Sequence, residues 1–99
     1  MKSSWQEMVG GDQPVLVDFF ATWCGPCKAM APILSDVKRQ MGDEIRIVKI
    51  DVDQNPEIAS RYQVRGVPTL MLFKAGQVLW NQSGVVPANQ LVQALRSAL

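Results

Sequence analysis

Residues 15–30 read VLVDFFATWCGPCKAM, and two periods meet inside them. Val15 to Phe20 is apolar at both alternating sets of positions except at Asp18, the pattern of a strand covered on both faces. Beyond Cys24 the spacing changes. Cys27, Met30, Leu34, Val37 and Met41 recur at three- and four-residue steps, which predicts the buried stripe of a helix ended by Gly42. Lys38, Arg39 and Gln40 fall off that stripe, and Pro32 falls inside the helix, where it is expected to kink it. A covered strand that runs through two cysteines into a helix sets an α/β reading, and the rest of the chain is fitted around it.

Upstream, SSWQEMV (3–9) predicts a short helix capped by Ser3 or Ser4 and closed by Gly10 and Gly11. Downstream, IRIVKIDV (45–52) predicts a second strand. Asn55 is expected to cap a third helix, with Pro56 in its first position, Glu57 in its first turn, and Ile58, Ala59 and Tyr62 on its buried side. VRGVPT leads into a third strand, LMLF. Lys74, Ala75 and Gly76 turn the chain into a fourth strand, QVLWNQ (77–82), which makes a hairpin. After Gly84, the spacing of Leu91, Val92, Leu95, Ala98 and Leu99 predicts a last amphipathic helix. The first two strands are joined through a helix and should be parallel by a right-handed crossover, so the sheet is mixed with helices on both faces.

The totals narrow the function classes. Ninety-nine residues, 47% of them apolar, suit one domain with one continuous core. The net charge is +1 with no basic stripe, which argues against nucleic acid. Apolar runs such as Thr69 to Phe73 are too short to span a bilayer. The N-terminal stretch MKSSWQEMVGGDQP has no apolar core of a secretory signal, so the expected location is cytoplasmic. Two cysteines are too few for a disulfide scaffold, and the absence of histidine removes Cys–His catalysis and mixed Cys/His zinc sites within one chain. Nothing indicates a metal or an organic cofactor.

Cys24 falls at a helix start, where free N–H groups and the helix dipole favour a thiolate, the nucleophile of disulfide exchange. Cys27 lies one turn on along the same side. Gly25 is read as permitting the tight turn, and Pro26 stiffens it without losing a needed donor. A disulfide across so short a loop adds little global stability and suits chemistry better than stapling. The competing readings are two inert packed cysteines, or half of a Cys₄ zinc site shared with a second chain. Asp18, in a strand covered on both faces, should be paired or held protonated, and it is placed to accept the Cys27 proton when Cys27 attacks. The alternative is a sheet-edge carboxylate in water. Lys49, in the neighbouring strand, is a candidate partner for Asp18. Trp5 and Trp80 read as packing residues, whereas Trp23 beside Cys24 reads as exposed and functional. The Val67–Pro68 bond is left open between cis and trans.

VDFFATWCGPCKAMAP, KIDVDQNPEIASRYQVRGVPTLMLFKAG, and SGV with the last helix together resemble the thioredoxin family, from about residue 4 to the end. The resemblance implies a thioredoxin fold and reduction of protein disulfides. Cys24 would attack, Cys27 would resolve the mixed disulfide, and Asp18 would be the buried carboxylate behind Cys27, with Lys49 nearby. Val67–Pro68 would be cis and lie against the pair. Trp23, Gly25, Pro26, Val67, Pro68, Gly84 and Val85 would form the rim that grips an extended client. The implied reductant is an NADPH-dependent flavoprotein, thioredoxin reductase. Three departures stand out. The strand that family members usually place before the first helix is not found, so four strands are expected, with 45–52 on an open edge. The expected state is a monomer, with that edge as a place for dimerisation or aggregation. Phe20 stands where many members carry Trp, and Thr22 where the residue is often charged. Competing functions are a partner-binding module without turnover and an oxidant or isomerase outside the cytoplasm.

Overall fold

A computed structural model describes residues 4–99. Its elements run α1 (Ser4–Val9), β1 (Val15–Phe20), α2 (Gly25–Met41), a 3₁₀ turn (Gly42–Glu44), β2 (Arg46–Asp51), α3 (Pro56–Arg61), β3 (Thr69–Lys74), β4 (Gln77–Ser83) and α4 (Ala88–Ala98). The four strands lie in the order β2-β1-β3-β4. β1 is parallel to β2 and antiparallel to β3, and β4 is antiparallel to β3. This is the expected mixed sheet, with the 46–51 strand at one edge.

The alternation of β1 divides the interior in two. Leu16, on one face, packs with Met30, Leu34 and Val37 of α2, Leu91 and Leu95 of α4, and Leu70 and Leu72 of β3. Val15, Val17 and Phe19, on the other, pack with Trp5 and Val9 of α1, Ile50 of β2, and Met71 and Phe73 of β3. Each such Leu or Phe contributes about 1.5–3 kcal/mol by leaving water. Both faces of β1 are therefore covered, as its unbroken apolar run requires. On the second face Trp5 meets Phe73 edge-on and donates its indole N–H to the Tyr62 hydroxyl at 3.1 Å.

Helix ends and turns follow local chemistry. The expected cap at Ser3 lies outside the described residues. A Cβ on Gly10 would run into the Gln6 carbonyl, which accepts the Gly10 N–H at 2.8 Å. α2 runs through Pro32 as one element and buries the stripe expected of it. It ends at Gly42, in the left-handed region at φ +55°, and Lys38 Nζ donates to the carbonyls of Gly42 (2.8 Å) and Ile45 (2.7 Å). Ala75 (φ +52°) and Gly76 (φ +79°) form the hairpin turn. Their N–H groups donate to Gly11 O and Val9 O, tying the hairpin to the end of α1.

One cap differs from expectation. Asn55 precedes α3, but its side chain accepts no helix N–H; it donates backward to Asp51 O at 3.0 Å. The reason lies in the preceding turn, where Asp51 Oδ1 accepts the N–H groups of Asp53 and Gln54 and folds the chain back toward β2. On α3 only Ala59 is fully buried, with Ile58 and Tyr62 half-buried.

Candidate active site

The C-terminal end of β1, the start of α2 and the loop before β3 converge on the two cysteines. Cys24 occupies the N-cap of α2 with extended backbone (φ −85°, ψ 111°), and its Sγ accepts the Cys27 N–H at 3.1 Å. A cap atom in that position receives a helix-start donor and the positive end of the dipole, both of which favour a sulfur anion. Pro26 stands in the first turn. Cys24 and Cys27 are joined as a disulfide, with Cα atoms 5.3 Å apart. They are 3% and 6% exposed, so the pair is largely shielded from water. Cys24 Sγ lies 3.6 Å from Val67 O. In the disulfide this is a contact, since neither sulfur carries a proton; the Cys24 thiol has a proton to donate there.

Gly25 does not have the role its sequence suggests. Its φ is not in the left-handed region, and a Cβ there would meet nothing. The turn does not require glycine; what the missing side chain leaves is open surface beside the disulfide.

Val67–Pro68 is cis. Pro68 is buried, and its carbonyl accepts the Gly84 N–H at 2.9 Å, which binds the turn after β4 to the loop before β3. Thr69 Oγ1 donates to Gly66 O at 2.6 Å and lies 3.1 Å from Ser83 Oγ. Val85 beside it is 44% exposed.

Trp23 is 71% exposed, yet its indole N–H donates to Asp53 Oδ2 at 2.8 Å. Asp53 follows β2 and is carried by the turn folded on Asp51 Oδ1. The exposure of Trp23 is as expected from its place beside Cys24, whereas sequence reasoning missed Asp53. The available signal was Asp-Val-Asp at the end of a strand, a common side-chain-to-backbone turn, but nothing in it named a partner 30 residues away.

Asp18 lies on the face of β1 that packs against α2 and is 1% exposed. Neither carboxylate oxygen has a hydrogen-bond partner. Burial pushes its pKa up from the ordinary 3.8 to about 6, and the positive charge of Lys49 partly opposes that rise. The register sets Lys49 opposite Asp18. No ion pair joins them among the described residues; the Lys49 amine lies 4.7 Å over the Phe20 ring centroid. A long side chain can keep its charge toward water and still gain from an aromatic face, whereas reaching Asp18 would bury it.

A cysteine at a helix N-cap, disulfide-bonded to a second cysteine one turn on, and a buried carboxyl on the adjoining strand face fit a dithiol thiol–disulfide oxidoreductase. Comparison with known proteins agrees. Residues 1–97 match the thioredoxin family model. The chain is 49% identical over 98 residues to thioredoxin Y, chloroplastic, of Oryza sativa, covering 98% of this chain and 58% of that protein. It is 52% identical over 89 residues to a thioredoxin-like protein of Synechocystis (90% and 85% covered), and 46% identical over 94 residues to thioredoxin 1 of Nostoc (95% and 88%). The chain belongs to the thioredoxin family. No helix among the described residues is long and apolar enough to cross a membrane.

Proposed function

We infer that the protein reduces disulfides in client proteins, acting as one domain over residues 1–99. The observation that carries this reading is Cys24 Sγ at the α2 N-cap, accepting the Cys27 N–H and bonded to Cys27. In the reduced protein the Cys24 thiolate attacks a client disulfide. A Cys24–client disulfide forms and one client thiolate leaves. The Asp18 carboxylate accepts the Cys27 proton, and the Cys27 thiolate attacks the Cys24 sulfur. The internal disulfide closes and the second client thiolate leaves, taking up a proton. The client gains two electrons and the protein loses two. Lys49 acts through its charge on Asp18. Trp23, Gly25, Pro26, Val67, Pro68, Gly84 and Val85 form the client rim, and the Val67 carbonyl can accept a strand-like hydrogen bond from the client whenever Cys24 carries no proton.

Electrons return from an NADPH-dependent flavoprotein thioredoxin reductase. The working state is a monomer, with the exposed edge of β2 as the place where copies would associate. The cytoplasm is the proposed compartment, because a dithiol that turns over needs a reducing one; the rice relative is named as chloroplastic.

Insulin reduction driven by dithiothreitol tests turnover, and client capture tests the roles. Cys27→Ser should retain clients as mixed disulfides, and Cys24→Ser should be inactive. An active Cys24→Ser protein, together with a Cys27→Ser protein that captures nothing, would reverse the assignment.

A further inference from the structure

Beyond the rim around Cys24, a second surface opens on the Cys27 side of the disulfide. A hollow of about 330 Å³ is lined by Phe20, Thr22, Cys27 and Lys28 together with Ala31 and Lys49. It adjoins a hollow of about 500 Å³ between α2 and β2, whose walls include Leu34, Lys38 and Ile47 and again Ala31 and Lys49. Sharing those two residues, the hollows make one groove that begins at Cys27 and follows the seam between α2 and β2.

The charges on this groove have one sign. Lys28, Lys49 and Lys38 line it, and no acidic side chain does. The nearest surface carboxylate on α2, Asp36, is engaged by Arg39. Asp18 is buried behind the groove. Lys38 is fixed at the far end by its two carbonyl acceptors. The amines of Lys28 and Lys49 have no hydrogen-bond or carboxylate partner among the described residues. The chain as a whole carries only +1, so three lysines without an acid along one groove are a local feature and not a consequence of overall charge. The floor between them is Ala31, Leu34 and Ile47, which accepts aliphatic stems.

Building on the reading above that the protein reduces client disulfides, we propose that this groove seats an acidic, extended segment of the client flanking the disulfide under attack. Carboxylates on the segment would face Lys28 and Lys49, while its apolar stems rest on Ala31 and Ile47. Such pairing sets preference and encounter rate more than it adds to affinity. Exposed pairs of this kind are individually weak, so the two at Lys28 and Lys49 together give about a twofold to thirtyfold preference at low salt.

The test uses two synthetic peptides with one internal disulfide each, identical except for a flanking run of Glu in one and Gln in the other. Reduction by the fully reduced protein is followed by stopped flow at low and high ionic strength. The Glu peptide should react about twofold to thirtyfold faster, with the ratio falling as salt rises. Lys28→Glu should bring the ratio to one or below. Lys74→Glu, at the opposite end of the sheet from the cysteines, should leave it unchanged. Equal rates for the two peptides, or an equal loss of preference in both variants, would overturn the groove while leaving the reductase reading intact. Reduction of neither peptide would remove the reductase reading and the groove with it.

Discussion

Replacing Asp18 with Asn should stabilise the oxidised protein progressively as pH rises from 3.8 to about 6, with the full gain above that window. Asp18 is 1% exposed, neither oxygen is hydrogen-bonded, and burial, opposed by Lys49, moves its pKa from 3.8 to about 6. A raised carboxyl pKa means that the folded state holds its proton over a range where the unfolded chain has lost it. Between 3.8 and about 6 the native state therefore binds more protons, and stability falls as pH rises. Below that window both states are protonated, and above it both are ionised and the loss is complete. The difference of about 2 units corresponds to about 3 kcal/mol. Asn at this site is polar and similar in shape but cannot ionise. Near pH 4 the two proteins should be of similar stability; at about pH 8 the Asp18→Asn protein should be the more stable by about 3 kcal/mol. Denaturant unfolding with the disulfide intact, repeated across pH, measures this. A wild-type curve parallel to that of Asp18→Asn, or a variant less stable at the alkaline end, would refute a buried, unpartnered carboxylate. The same variant should slow Cys27 attack on the mixed disulfide, so stability and resolution rate should move in opposite directions.

Lys49→Gln should raise the Asp18 pKa further, because the opposing positive charge is gone; the upper end of the pH window of stability loss should move up, and an unchanged upper end would separate Lys49 from Asp18. Asp53→Asn should weaken the hold on the Trp23 indole. The measurement is KM for a protein client, expected to rise by up to about fivefold, with the reaction of Cys24 toward a small disulfide unchanged; an equal effect on both substrates would point to the cysteines instead. Lys38→Met should cost about 1 kcal/mol in denaturant unfolding by leaving Gly42 O and Ile45 O without their shared donor, and an unchanged midpoint would mean that water replaces it.

The parts legible in the sequence are those governed by short-range period. VLVDFF reads as a doubly covered strand because each residue must find apolar cover locally, and β1 has it on both faces. The stripe from Cys27 to Met41 reads as a helix face for the same reason, and it matches the residues α2 buries. Less legible are the choices a polar side chain makes among several partners within reach. Lys49 reads as a partner for Asp18, yet opposite it in the register it turns to Phe20, because a flexible cation gains more from an aromatic face in water than from entering a dry site. Asn55 stands where a cap belongs, yet donates to Asp51 O because Asp51 has already turned the chain. Asp53 reaches Trp23 only once β2 and the loop after β1 are side by side.

The first of these partner choices has a consequence for the chemistry. Had Lys49 entered to pair with Asp18, the carboxyl would be held ionised and its pKa kept low, poor for taking a proton near neutral pH. By remaining over Phe20 it leaves Asp18 dry, with a pKa of about 6, on the sheet face against which α2 lies. A buried carboxylate without a partner destabilises the fold. Here that cost leaves a carboxyl able to change state near neutrality, on the same side of the sheet as the cysteine that, in the proposed mechanism, must lose its proton.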